Sequence, residues 1–100
     1  MTSILITGGA GFIGVNAARY FAERGWSIAI LDNLSRRGTQ DNLAWLRQRA
    51  AFDLHIVDIR DAAAVTSVVA GMKPDVVLHL AAQVAVTTSV TNPREDFEIN

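Results

Sequence analysis

The sequence TGGAGFIG, residues 7–14, begins at the last residue of a short, mostly β-branched run at residues 3–7. Its glycines have the spacing Gly-x-Gly-x-x-Gly from Gly9 to Gly14. Glycine adopts backbone conformations that a Cβ would penalise. A helix that begins after such a turn presents free N–H groups and a partial positive charge to an anion. The stretch therefore predicts a buried strand, a tight turn able to seat a pyrophosphate against the backbone, and a helix.

Strand-like and helix-like segments alternate along the rest of the chain. Short apolar runs predict strands at residues 3–7, 27–31, 54–57 and 76–80. Helical periodicity predicts helices from the turn to about residue 24, at 41–49, and from an N-cap at Asp61 to residue 73, and Asn92-Pro93 resembles a further helix start. Right-handed crossovers between parallel strands place the four strands in the order 3-2-1-4. The predicted fold class is α/β, the N-terminal half of a doubly wound parallel (Rossmann) sheet, truncated.

Two helical faces are expected to pack on this sheet. In the first helix the apolar positions Ile13, Ala17, Tyr20 and Phe21 recur at helical spacing, so that Tyr20 is interpreted as a core residue. The side chains of Phe12 and Ile13 are also expected to pack, while their backbone closes over the pyrophosphate. In the third helix the predicted buried face consists of Val65, Val68, Val69 and Met72.

An acidic residue occurs at the position where a dinucleotide-binding site requires one. Asp32 ends the second predicted strand, 18 residues after Gly14, and an acid at about this distance accepts hydrogen bonds from the adenosine ribose. Its carboxylate repels a 2′-phosphate, which favours NAD over NADP. The pair Arg36-Arg37 leaves an alternative, because two guanidinium groups can hold such a phosphate. The alternative interpretation of these residues is a glycine-rich loop that has only a structural role and binds no ligand.

Composition excludes several other classes of protein. The 100 residues carry a net charge of −1, with nine basic residues that are scattered apart from Arg36-Arg37, so that a nucleic-acid partner is not expected. There is no cysteine, and the two histidines lie in separate segments, which argues against a metal site. No apolar run reaches the roughly 18 residues of a membrane span. With no basic leader before the first apolar run, a cytoplasmic location without a membrane partner is expected.

Four segments together resemble the extended short-chain dehydrogenase/reductase superfamily, in particular its NAD-dependent nucleotide-sugar epimerases and dehydratases. They are residues 7–14, Asp32-Asn33-Leu34, residues 58–61 (DIRD) and residues 79–82 (HLAA). The resemblance implies an NAD cofactor, with Asp58 accepting from the adenine amino group. The cofactor-binding residues that it implies are Gly8, Gly11, Phe12, Ile13, Gly14, Asp32, Asn33, Ser35, Arg36, Asp58, Ile59, Leu80, Ala81, Ala82, Gln83 and Asn100.

Further segments resemble one group within that superfamily, the CDP-paratose 2-epimerases. They are residues 33–38, 41–46, 82–89 and 96–100. The implied activity is epimerisation of a nucleotide sugar by transient oxidation and re-reduction, at C2 of the CDP-linked sugar. Thr87, Thr88 and Ser89 are then expected to bind the substrate. Alternatives are a nucleotide-sugar 4,6-dehydratase, another UDP- or GDP-sugar epimerase, and a non-catalytic dinucleotide sensor.

The catalytic Tyr-x-x-x-Lys pair of this superfamily does not occur in the sequence. The single tyrosine, Tyr20, is followed four residues later by Arg24, and the single lysine, Lys73, precedes Pro74. No catalytic residue is therefore assigned here. Residues 1–100 are expected to be the N-terminal part of an NAD-binding domain, with the catalytic pair, the substrate domain and any surfaces for homo-oligomer formation beyond Asn100.

Overall fold

A computed structural model describes residues 2–81, and the predicted helix that starts at Asn92 lies outside them. Four strands alternate with three helices in the described residues, and all strand pairs are parallel. The sheet order is β3-β2-β1-β4, which confirms the predicted topology. The elements are β1 (Ser3–Thr7), α1 (Phe12–Ala22), β2 (Ser27–Asp32), α2 (Thr39–Arg47), β3 (Asp53–Ile56), α3 (Ala62–Met72) and β4 (Val76–His79).

The register brings the carboxyl ends of all four strands to one edge of the sheet. Thr7 pairs with Leu31 on one side and with His79 on the other. Asp32 pairs with Ile56 of β3. Since α1 leads from β1 to β2 while β4 lies on the opposite side of β1, the chain leaves a crevice outside the end of β1, where open α/β sheets bind ligands.

The sheet has an apolar core on each face. On one face, alternate residues of β1 and β2 pack with α1 and α2; the buried members are Ile4, Ile6, Ile28, Ile30, Val15, Ala18, Leu43 and Leu46. On the other face Leu5, Ala29 and Leu31 pack against α3. The α3 residues in that contact include Val65, Val68, Val69 and Met72, so the predicted face does pack on the sheet, although its side chains are only half-buried. The predicted cap is also present, because the Asp61 carboxylate accepts from Ala64 N–H at 3.1 Å.

The buried face of α1 agrees only in part with the prediction, because Ala17 and Phe21 pack against the core as expected but Ile13 and Tyr20 are exposed. Its buried residues are Gly14, Val15 and Ala18, whereas Ile13 is 57% exposed and Tyr20 is 49% exposed. The helix packs so closely that a Cβ on Gly14 would lie 2.5 Å from the Gly9 Cα. This close contact turns the small residues inward and leaves Tyr20 outside, with the Arg24 guanidinium 3.4 Å from the centroid of its ring.

In the part of the chain that the structure describes, no helix combines the length and apolar character that crossing a membrane requires.

Candidate functional site

A groove of about 350 Å³ lies at the carboxyl edge of the sheet. It is formed by the turn after β1, the end of β2 with the loop that follows, the segment after β3, and the segment after β4. Its lining residues are Gly8, Gly11, Phe12, Ile13, Leu31, Asp32, Asn33, Ser35, Arg36, Val57, Ile59, Leu80 and Ala81. Both its size and its place at the strand ends are typical of small-molecule sites.

The turn after β1 is held tightly by its own backbone. Gly8 has φ +69°, which favours glycine, and its N–H donates to the Leu31 carbonyl at 2.8 Å. The Gly11 N–H in turn donates to the Gly8 carbonyl at 3.2 Å. A Cβ on Gly8 would also lie only 2.9 Å from the Ala81 nitrogen. Gly8 therefore serves both the turn conformation and the close approach of the segment after β4.

Gly11 differs from the neighbouring glycines in what surrounds it. A Cβ on Gly9 would lie 2.8 Å from the Ile30 side chain, and one on Gly14 would meet the Gly9 backbone. Among the residues that the structure describes, a Cβ on Gly11 would meet only the Gly8 carbonyl oxygen, at 3.5 Å, an ordinary contact. Since Gly11 lines the groove, the absence of its side chain keeps groove space open rather than relieving a clash within the protein.

The N-terminus of α1 supplies donors beside this open space. Its N-cap is Gly11, with no side-chain cap, and the Val15 N–H makes the first backbone bond, to the Gly11 carbonyl. The N–H groups of the first helical turn have no carbonyl partner inside the helix. Such groups, together with the positive end of the helix dipole, bind phosphate.

Asp32 is fixed by backbone donors on two sides. Its Oδ2 accepts from Ala10 N–H at 3.1 Å, and its Oδ1 accepts from Leu34 N–H at 2.7 Å. Leu34 has φ +59° and packs against the core, a conformation that costs a bulky residue about 1–2 kcal/mol. An ionised carboxylate has acceptor capacity beyond these two bonds. Asp32 is thus held in place at the groove with room to accept from the hydroxyls of a ribose.

The Asp58 carboxylate forms an ion pair with the neighbouring Arg60, and Asp58 is not among the residues that line the groove. Its Oδ1 accepts from the Arg60 N–H and Nε, and its Oδ2 accepts from the Arg60 guanidinium at 2.8 Å. The hydrogen bonds from the Arg60 side chain, and then from its backbone, lower the pKa of Asp58 from 3.8 to about 2. Asp58 is therefore an acceptor that stays ionised, while its neighbours Val57 and Ile59 line the groove.

The structure brings most of the sequence-predicted cofactor residues together. Those that line the groove are Gly8, Gly11, Phe12, Ile13, Asp32, Asn33, Ser35, Arg36, Ile59, Leu80 and Ala81. Gly14 and Asp58 do not, because Gly14 packs under the turn against Gly9 and Asp58 pairs with Arg60. Ala82, Gln83, Asn100, Thr87, Thr88 and Ser89 lie outside the described residues. Binding of a cofactor or substrate by these residues stays a prediction.

Two further differences concern the walls of the groove. Leu31 and Val57 line it but were not predicted from the sequence; their position directly before Asp32 and Asp58 at the strand ends is the signal that points to them. The expectation that the Phe12 and Ile13 side chains pack inside is wrong, since they are 72% and 57% exposed at the groove. Both residues lie in the first turn of α1 and off the buried face of the helix, which leaves their side chains exposed.

A parallel sheet of this order, with a glycine turn and a fixed acid at its carboxyl edge, defines a dinucleotide-binding α/β protein. Residues 5–100 match the family model described as GDP-mannose 4,6 dehydratase, and the chain belongs to this family. The similar proteins described next confirm the resemblance to nucleotide-sugar epimerases and dehydratases of the extended short-chain dehydrogenase/reductase superfamily.

Two curated relatives match nearly the whole chain. CDP-paratose 2-epimerase of Salmonella typhi is 47% identical over 97 residues, which are 97% of this chain and 29% of the relative. A dTDP-glucose 4,6-dehydratase of Escherichia coli is 34% identical over 98 residues, 97% of this chain and 27% of the relative. The chain thus spans less than a third of the length of the curated relatives it matches.

Solved structures agree with this result. The UDP-Glc/GlcNAc 4-epimerase of Campylobacter jejuni is 35% identical with a TM-score of 0.76, covering 93% of this chain and 28% of its own. The UDP-glucose 4-epimerase of Thermus thermophilus, solved as a complex with NAD, is 34% identical with a TM-score of 0.66, covering 98% of this chain and 30% of its own. These structures confirm the fold class.

Proposed function

We propose that this chain is the dinucleotide-binding part of an NAD-dependent nucleotide-sugar epimerase, with CDP-paratose as substrate and C2 as the reacting carbon. The observation that carries the cofactor assignment is the open side of Gly11 beside the fixed Asp32 carboxylate. The 47% identity to CDP-paratose 2-epimerase supports the choice of substrate. The catalytic pair and the substrate domain are proposed to lie beyond residue 100.

Each part of the groove has a distinct task in this proposal. The open side of Gly11 and the first N–H groups of α1 receive the pyrophosphate, and Asp32 accepts from the adenosine ribose. The exposed Phe12 and Ile13 side chains exclude water from the phosphate end of the groove. When bound, NAD supplies the acceptor and donor for a hydride from the sugar carbon. The protein's contribution is to position both reactants.

NAD rather than NADP suits the described residues. The Asp32 carboxylate stands at the groove with both oxygens fixed by backbone N–H groups, and a 2′-phosphate beside it would be repelled. Arg36 also lines the groove, so that its guanidinium is available to contact a phosphate group near Asp32. The NAD complex of the Thermus thermophilus relative agrees with the NAD prediction.

The test uses the intact protein that carries this chain. Purified protein is denatured and its released nucleotide identified by chromatography, and fresh protein is incubated with CDP-paratose in D₂O. We expect NAD to be released and the C2 epimer to form without deuterium at C2, because the hydride returns from the cofactor and not from solvent. An unchanged sugar in the presence of bound NAD would refute the substrate, and the absence of any adenine dinucleotide would refute the cofactor.

A 4,6-dehydratase is the second candidate, because the dTDP-glucose 4,6-dehydratase of Escherichia coli matches 97% of the chain and the family model carries a dehydratase description. Incubation of the same protein with dTDP-glucose or GDP-mannose separates the two activities. A dehydratase yields a product lighter by one water, measured by mass spectrometry. An epimerase leaves the mass unchanged.

A further inference from the structure

Ala10 lies at the centre of the glycine turn, and both its N–H and its carbonyl are hydrogen-bonded to side chains distant in sequence. It is fully buried. Its N–H donates to the Asp32 carboxylate at 3.1 Å, and its carbonyl accepts from Asn42 Nδ2 at 2.9 Å. The peptide between Ala10 and Gly11 is fixed at its other end as well, since its N–H, that of Gly11, donates to the Gly8 carbonyl. The orientation of the Ala10–Gly11 peptide, and with it the open side of Gly11, depends on these bonds.

Asn42 reaches the turn because α2 is anchored to the core. Leu43 and Leu46 of α2 are fully buried with Val15 and Ala18 of α1, and Asn42 itself is half-buried. The loop before α2 carries Asn33, Ser35 and Arg36 on the groove. The side-chain amide of Asn42 thus joins α2, which follows this loop, to the turn after β1, which also lines the groove.

We propose that Asn42 is a positioning residue for the dinucleotide: it holds the Ala10 carbonyl so that the turn keeps the shape that receives the pyrophosphate. This inference rests on the proposed function. Asn42 does not line the groove and acts through Ala10. The carbonyl of Ala10 only accepts, so the side chain must present an NH₂ donor. Leucine fills the same volume without a donor, whereas glutamine keeps the amide on a longer stem.

The inference is tested in the intact protein with Asn42→Leu, Asn42→Ala and Asn42→Gln. Dissociation constants are measured for NAD, for ADP, which carries the diphosphate, and for adenosine, which carries none. We expect Asn42→Leu and Asn42→Ala to weaken NAD and ADP by roughly five- to tenfold, the loss of one hydrogen bond, and to leave adenosine nearly unchanged. Asn42→Gln should recover part of the loss.

The matched control is Asn16→Ala, which removes an amide-to-carbonyl bond of the same kind inside α1, from Asn16 Nδ2 to the Phe12 carbonyl at 2.8 Å. It should leave the NAD and ADP constants unchanged. Equal losses for ADP and adenosine, or unchanged binding in Asn42→Leu, would overturn the positioning role. If the wild-type protein itself bound no NAD, the proposed function would fail instead.

A measurement on the unmodified protein covers the case in which the variants do not fold. The side-chain NH₂ resonances of Asn42 are followed by NMR during titration with ADP and with adenosine. We expect a shift with ADP, because the Ala10 peptide lies next to the diphosphate in the proposed complex, and little shift with adenosine. Identical responses to the two ligands would overturn the inference.

Discussion

Gly11 is the glycine of the turn that we expect to matter for ligand binding but not for folding. Its backbone has φ −74° at the start of α1, a conformation that alanine adopts freely. Within residues 2–81 an added Cβ would meet only the Gly8 carbonyl oxygen, at 3.5 Å. Gly8, Gly9 and Gly14 are different, because a Cβ on each would lie under 3.0 Å from other protein atoms.

Gly11→Ala should therefore fold normally and bind poorly. We expect the free energy of unfolding to change by less than about 0.5 kcal/mol, while the dissociation constant of NAD rises at least about tenfold, because a methyl group enters the space of the pyrophosphate. Calorimetry and urea denaturation measure the two quantities. Gly71→Ala, where the new Cβ would come within 4 Å of no described residue beyond its own stretch of helix, is the control and should leave binding unchanged. Wild-type affinity in Gly11→Ala would contradict the site.

Asp58 should remain ionised far into the acid range. The Arg60 side chain lowers the pKa of Asp58 to about 2, against an ordinary 3.8. Because the pKa of the folded state is the lower one, the contact stabilises the fold above about pH 4 and is lost as the pH falls from there towards 2. The pair is exposed to solvent, so the gain in stability is small. A ¹³C NMR titration of the Asp58 carboxyl should give a pKa well below 3.8 in the wild type and a return towards 3.8 in Arg60→Gln.

The first helix shows how one contact sets the orientation of a whole element. Gly14 packs on the Gly9 backbone, and this determines that Val15 and Ala18, rather than Ile13 and Tyr20, face the core. Apolar spacing in the sequence is compatible with either face. Strand boundaries show the same dependence on packing: β3 is predicted at 54–57 but spans Asp53–Ile56, where its pairing with β2 places it.

Gly14→Ala is expected to destabilise the protein, although Gly→Ala inside a helix usually stabilises it by 0.5–1 kcal/mol. The new Cβ would lie 2.5 Å from the Gly9 Cα and 2.6 Å from the Gly9 carbonyl oxygen. These are backbone atoms that cannot rotate away, so that α1 must shift, at a cost of about 1–3 kcal/mol. Thermal or urea unfolding measures the change, with Gly71→Ala in α3 as the matched helical control. If Gly14→Ala were more stable than the wild type, the packing of Gly14 on the Gly9 backbone could relax, and this prediction would be wrong.

At the scale of the whole molecule, the groove lies at the carboxyl ends of all four strands. The lining comes from the segments after β1, β2, β3 and β4, so that a ligand in the groove bridges the sheet from β3 to β4. Any ligand that binds the native state alone stabilises it.

NAD should accordingly raise the melting temperature of the intact protein. At a free concentration of about 100 times the dissociation constant the gain is about 2.7 kcal/mol, which corresponds to about 4 °C for a protein as long as the curated relatives. Differential scanning fluorimetry with increasing NAD gives the curve, and Gly11→Ala at the same concentrations serves as control. A melting temperature independent of NAD in the wild type would contradict binding in the groove.

Strand order, the glycine turn and the acid at Asp32 were predictable from the sequence, because turn conformation, helical spacing and the handedness of parallel crossovers are local or nearly local properties of a chain. Tertiary structure alone decided which glycine faces open space, which side of α1 is buried, that Arg60 engages Asp58, and that Asn42 holds Ala10. Most of these features depend on how helices rotate about their axes and how elements distant in sequence pack. The Asp58–Arg60 contact depends on a side-chain conformation that spacing in the sequence does not specify.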